Sequence, residues 1–130
     1  MSLDVSSTLL SQAESGEVSE VDFIDTVRRS LPYAYEMISG LTVQLQGTSA
    51  LFVDNTTPPA SEAERGQLLR AMASNAIRAS LERHFGVHLA FQNCHRVAVF
   101  RTDVDTSAAR GVFTSIRGQL LNQSPVLRDC

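Results

Sequence analysis

Residues 84–100, HFGVHLAFQNCHRVAVF, decide the fold, because the hydrophobic rhythm changes there from helical spacing to alternation. Gly86 follows a helical pattern and is a typical helix stop. Apolar residues then alternate, first at Val87 and Leu89, and again from Val97 to Phe100, where both sides of the segment are apolar. The pattern predicts a β-hairpin with strands at about 87–91 and 96–101, and its second strand is typical of one covered on both faces.

Upstream of the hairpin, residues 61–85 predict one long central helix on which the hairpin packs. Ser61 and Glu64 have the spacing of a capping box, and Gly86 ends the pattern. The expected buried stripe recurs at helical spacing. Its members are Leu69, Met72, Ala73, Ala76, Ile77, Leu81 and Phe85.

Three further helical patterns flank these elements. One runs over about 19–29, and a second follows Ser30, its expected N-cap, and ends at Gly47. The last begins near Thr106 or Ser107 and ends at Ser124 and Pro125. Its predicted buried face comprises Val112, Phe113, Ile116, Leu120 and Leu121.

The remaining segments complete the predicted organisation. Residues 51–53 fit a short strand or a buried anchor, residues 1–17 a short helix or a frayed arm, and residues 124–130 a tail. The sequence therefore predicts a mainly helical α+β fold of about four helices and one β-hairpin packed on a central helix. All 130 residues are expected to form a single domain.

Composition excludes several classes of protein. Apolar residues make up 43% of the chain, and no apolar run approaches the length of a membrane span. The N-terminal segment is acidic and lacks the pattern of a secretory signal, so a cytoplasmic protein without membrane contact is expected. All eleven basic residues are Arg, which is typical of a GC-rich bacterial coding sequence.

Charge is distributed unevenly along the chain. Residues 1–64 carry ten acidic and two basic residues, whereas residues 65–101 carry six Arg and one acid, Glu82. Such asymmetry is compatible with an anion-binding face, or with an acidic front half that packs across the basic middle. The candidate residues for anion or partner binding are Arg70, Arg78, Arg96 and Arg101.

A second candidate cluster consists of His84, His88, Cys94 and His95. These residue types ligate zinc, and a cysteine beside a base can act as a nucleophile. However, Gly86 interrupts the helix between the two first histidines, and adjacent residues in an extended chain face opposite ways. These four side chains could form one site only if the hairpin turn folded back over the helix end and brought Cys94 and His95 near His84. Both Cys94 and Cys130 are expected to be free thiols.

The motifs of the sequence predict no catalytic residues, no resident metal and no cofactor. The glycine patterns that bind phosphate groups are also absent. We therefore expect a small binding or adaptor protein that contacts a protein partner or associates with itself as a homodimer. A metal- or thiol-dependent sensor or enzyme built on the histidine and cysteine cluster is the first alternative. Nucleic-acid binding through the Arg-rich central helix is the second, against which the acidic pI of about 5.5 counts.

Overall fold

The computed structural model describes residues 2–122, which form seven helices and one three-stranded antiparallel sheet. The α+β class is confirmed, but the expected number of about four helices is wrong. The elements are α1 Ser7–Ser15, α2 Glu20–Ser30, α3 Pro32–Gln46, β1 Phe52–Asp54, α4 Glu62–Ala73, α5 Asn75–Phe85, β2 His88–Gln92, β3 Arg96–Phe100, α6 Ser107–Phe113 and α7 Ile116–Leu121.

The sheet has the order β1-β3-β2, so β3 is its central strand. Val99 of β3 pairs with Leu89 on one side and Val53 on the other. Val97 and Val99 pack into the main core with helices α2 to α5, whereas Ala98 and Phe100 pack with Phe113 of α6. Helices therefore cover both faces of the sheet, as the apolar pattern of this strand predicts.

The expected single helix over 61–85 is wrong, because the chain breaks at Ser74. The backbone of Ser74 is extended, and its hydroxyl accepts a hydrogen bond from the N–H of Ile77, which starts α5. The break shifts the helical phase. Leu68 is fully buried and Leu69 is half exposed, while Ala73 and Ala76 lie at the surface.

The expected last helix is also two helices. Ser115 caps α7 through the N–H of Gly118, and the chain turns between Phe113 and Ile116. Only Phe113 of the predicted buried face is buried. Ser124, Pro125 and the expected tail lie outside the described residues.

Serine hydroxyls start most of the helices. In residues 2–122, five of the seven helices have a serine N-cap whose Oγ accepts from the backbone N–H three residues on, and these caps are Ser6, Ser19, Ser61, Ser74 and Ser115. Each such bond satisfies an N–H that the helix leaves without a partner.

Helix α3 is capped from another helix. The expected cap, Ser30, instead ends α2, and Leu31 at the start of α3 offers no side-chain acceptor. Gln67 of α4 supplies it, because its Oε1 accepts from the N–H groups of Tyr33 and Ala34 at 2.7 and 3.2 Å. The α3–α4 packing therefore also completes the α3 N-terminus.

Among residues 2–122, the helices are too short or too polar for any of them to cross a membrane.

Candidate functional site

The four residues of the histidine and cysteine cluster lie at two ends of the β2–β3 hairpin. His84 lies in the last turn of α5, where its Nε2 is 3.1 Å from the Tyr35 hydroxyl, and His88 begins β2 beside Glu82. Cys94 and His95 lie in the turn at the other end, beyond Gln92. Strand β2 separates the two pairs, because the distance along it from His88 to Gln92 is roughly 13 Å. The hairpin turn therefore does not fold back over the end of α5.

This arrangement does not build a metal site. Across residues 2–122, no three His, Cys, Asp or Glu side chains are grouped so that they could hold a metal ion. Cys94 is disulfide-bonded, so the expectation of a free thiol at this position is wrong. Cys130 lies outside the described residues.

His95 is the buried member of the cluster, with 7% of its surface exposed. Its Nδ1 has no hydrogen-bond partner in the described part of the chain. Burial, reinforced by the positive charge of Arg96, lowers the pKa of the His95 imidazole below its ordinary value. Burial in the fold therefore favours the neutral form of this ring.

Three of the four candidate arginines are engaged in the fold. Arg78 donates to the carbonyl of Met72 at 2.8 Å, across the α4–α5 break. Arg96 binds Asp54 of β1, with Nε to Oδ2 at 2.8 Å. Arg101 donates from Nε to the carbonyl of Ala50 at 2.7 Å and from Nη2 to the carbonyls at the end of α3.

The acidic and basic halves of the chain meet only in part. Arg83 binds Glu20 at 2.9 Å and so joins α5 to the start of α2. For Arg70, the described residues provide no hydrogen bond or ion pair. The candidate arginines thus do not form one continuous basic line, because the Ser74 break interrupts the helix that would have carried it.

The feature that the sequence pattern did not predict is an apolar surface. Four side chains of α6 and α7 that were expected to be buried are 67–82% exposed, and we call them the α6–α7 apolar face: Val112, Ile116, Leu120 and Leu121. The signal for it was Ser115, a capping residue inside an apparently continuous helical pattern.

A cavity of about 680 Å³ adjoins this face, between β1, the hairpin and the two C-terminal helices. Its apolar lining includes Phe52, Phe113, Val112 and Leu121, and its polar lining includes Gln92, Asp54, Arg96 and Arg117. Helix α7 forms one wall and is tied to the hairpin turn, since the N–H of Asn93 donates to Gln119 Oε1 at 3.0 Å and Arg96 donates to Asn122 Oδ1 at 2.6 Å.

Comparison with known proteins finds one family. The model of a family described as NucS shadow ORF, whose short name also carries the label KH, matches residues 1–130. No curated protein and no solved structure matches the chain.

Proposed function

The chain belongs to the NucS shadow ORF family, and we propose that it is a small protein-binding domain that acts through the α6–α7 apolar face. The observation that carries this proposal is the exposure of Val112, Ile116, Leu120 and Leu121, which is 68, 82, 72 and 67%. Four large apolar side chains are thus exposed within ten residues of chain, and apolar groups concentrated at the surface mark interaction sites in proteins. Burying one such side chain contributes about 1.5–3 kcal/mol.

The family description supplies the first partner to test. A shadow ORF is a reading frame that overlaps that of another gene, which the description names as NucS. Peptides of this chain should therefore be sought in the cells that carry the frame, by mass spectrometry. Detection would show that the frame is translated, and NucS and a second copy of the chain would then be the two candidate partners.

The binding experiment removes the face without touching the core. The double variant Ile116→Ser, Leu120→Ser changes two exposed residues, and Val21→Ser, Val43→Ser is the matched control, because those valines are 78 and 65% exposed on α2 and α3. Binding to purified NucS is measured by calorimetry, and self-association by sedimentation from micromolar to millimolar protein.

We expect the face variant to weaken the interaction at least tenfold, about 1.4 kcal/mol, and the control to bind as the wild type does. Sedimentation as a monomer throughout this range, together with no binding to NucS, would contradict the proposal. Equal loss in both double variants would also contradict it, because the effect would then not belong to this face.

Single-stranded nucleic acid is the second candidate, favoured by the KH label. KH domains clamp the nucleic-acid backbone with a G-x-x-G loop, and no two glycines of this chain have that spacing. A groove of about 480 Å³ nevertheless runs along β2 and carries Arg78 and Arg110 beside Phe91. A phosphate chain could contact both guanidinium groups there.

This candidate is tested by the anisotropy of labelled single-stranded oligonucleotides at low and high salt. Binding through the groove should fall with rising salt, because it releases counterions, and Arg110→Gln should weaken it. Arg28→Gln, on the exposed surface of α2, is the control. Absence of binding at low salt removes nucleic acid as a candidate.

A further inference from the structure

We propose that the cavity between β1, α6 and α7 binds a small amphipathic anion that has an apolar ring or chain. Val112 and Leu121 belong both to this cavity and to the α6–α7 apolar face, whereas Ile116 and Leu120 do not line the cavity. Its volume of about 680 Å³ lies within the range of small-molecule sites in proteins.

Aromatic side chains make the apolar wall of the cavity rigid. The ring of Phe52 stacks on Phe100 with centroids 4.7 Å apart and meets Phe113 edge-on at 6.1 Å. Phe100 is fully buried, and Phe113 is 8% exposed. The wall is therefore formed before any ligand arrives, which lowers the entropic cost of binding an apolar body.

Gln92 closes the inner side of the cavity, where it is 1% exposed. Its Nε2 donates to the carbonyl of Phe113 at 2.7 Å, which fixes the orientation of the amide and ties β2 to the end of α6. The other amide atom, Oε1, is buried without a hydrogen-bond partner among residues 2–122. Because it has almost no accessible surface, no ligand contact is assigned to it.

The charge of the lining determines the sign of the ligand. Arg96 is neutralised by Asp54, whose Oδ2 lies 2.7 Å from Nη2. Arg117 also lines the cavity, and the described residues offer it neither a hydrogen bond nor an ion pair. One positive charge therefore remains uncompensated at the rim of the apolar cavity, where it favours a carboxylate, sulfonate or phosphate group.

The probe for this site is anilinonaphthalene sulfonate, which combines an apolar ring system with an anionic group. Its fluorescence on titration into the full-length protein reports affinity and stoichiometry. Ala109→Trp fills the cavity, because Ala109 lines it, and Ala108→Trp is the control on the same helix, because Ala108 is exposed and outside the lining.

We expect one site per chain, at least tenfold weaker binding to Ala109→Trp, and wild-type binding to Ala108→Trp. Wild-type affinity of Ala109→Trp, or equal loss in both variants, would overturn the proposal. Cooperative urea unfolding of each variant confirms that the probe reports a folded protein, since partly folded states bind this dye at exposed apolar surface.

A charge variant keeps the test informative if Ala109→Trp does not fold. Arg117 is exposed, so Arg117→Gln leaves the core unchanged. It should weaken binding of the probe about threefold, as expected for the loss of one solvent-exposed ion pair. Arg65→Gln on α4 should leave this affinity unchanged. No effect of Arg117→Gln overturns the anionic part of the proposal.

The face variant Ile116→Ser, Leu120→Ser separates this proposal from the protein-binding function, because neither residue lines the cavity. It should weaken partner binding at least tenfold and leave the binding of the probe unchanged. Loss of the probe in this variant would overturn the cavity proposal, since the dye would then be reporting the exposed face.

Discussion

Replacing Gly118 by alanine tests how closely α7 packs on the end of α6. A Cβ at this position would lie 2.6 Å from the carbonyl oxygen of Val112 and 3.1 Å from that of Phe113. Both neighbours are backbone atoms, so α7 must move away. Such overpacking lowers the free energy of unfolding by about 1–3 kcal/mol. The better helix propensity of alanine offsets about 1 kcal/mol of this loss. We expect Gly118→Ala to lower the free energy of unfolding by up to about 2 kcal/mol.

Gly111 of α6 provides the matched control. A Cβ there has no atom within 4 Å, so Gly111→Ala should raise the stability by about 1 kcal/mol through helix propensity alone. The assay is urea unfolding, in which both variants should keep the wild-type slope and move the midpoint in opposite directions. If Gly118→Ala is as stable as Gly111→Ala, the reasoning is refuted and α7 does not pack against those carbonyls.

Three further predictions concern the fold around the candidate site. Gln67→Ala removes the acceptor for two N–H groups at the start of α3 and should cost about 1–2 kcal/mol in urea unfolding. Arg101→Lys loses the planar fork that binds several carbonyls after α3 and should cost about 1 kcal/mol, whereas Arg83→Lys, in an exposed pair, should cost less than about 0.5 kcal/mol; equal costs would contradict these contacts. Because burial lowers the pKa of His95 in the folded state, the unfolded state binds the proton more tightly, so stability is complete above about pH 6.5 and falls as the pH drops towards the folded-state pKa. His95→Gln should flatten this dependence when unfolding is measured from pH 7 to about 5, and a slope that His84→Gln removes equally would argue against the assignment.

The hairpin was the part of the fold that the sequence predicted best. Alternation along β2 and β3 depends only on the two-residue period of a strand, and Asn93 has the positive φ of 51° that a tight turn requires. The two helices over 19–46 followed equally from local spacing and from the Gly47 stop. In these segments, the local pattern and the tertiary environment agree.

The breaks at Ser74 and Ser115 could not be predicted with the same rules. A serine inside a helical pattern can face solvent or can cap a new helix, and only the packing of both halves decides between them. The helical spacing of apolar residues in the last segment did predict helical structure there. Periodicity indicates that a face is apolar, but it does not distinguish burial in the core from exposure to a partner or solvent.

The candidate arginines show the same limit. Residue type predicted a positive surface, yet Arg78 and Arg101 donate mainly to backbone carbonyls, which leave no trace in a sequence. The cavity was missed because its lining comes from β1, the hairpin and α6–α7, which are separated along the chain. The sequence pattern also did not indicate that Arg117 lines this cavity without a pairing partner among the described residues.

The serine caps also make part of the stability of this fold a local property of the chain. Among residues 2–122, five helices begin with a capping hydroxyl, and each such cap contributes about 1 kcal/mol. Together they amount to about 5 kcal/mol, which is comparable with the net stability of many domains. A contribution of that size therefore depends on single hydroxyl groups at the helix starts, in addition to the apolar core.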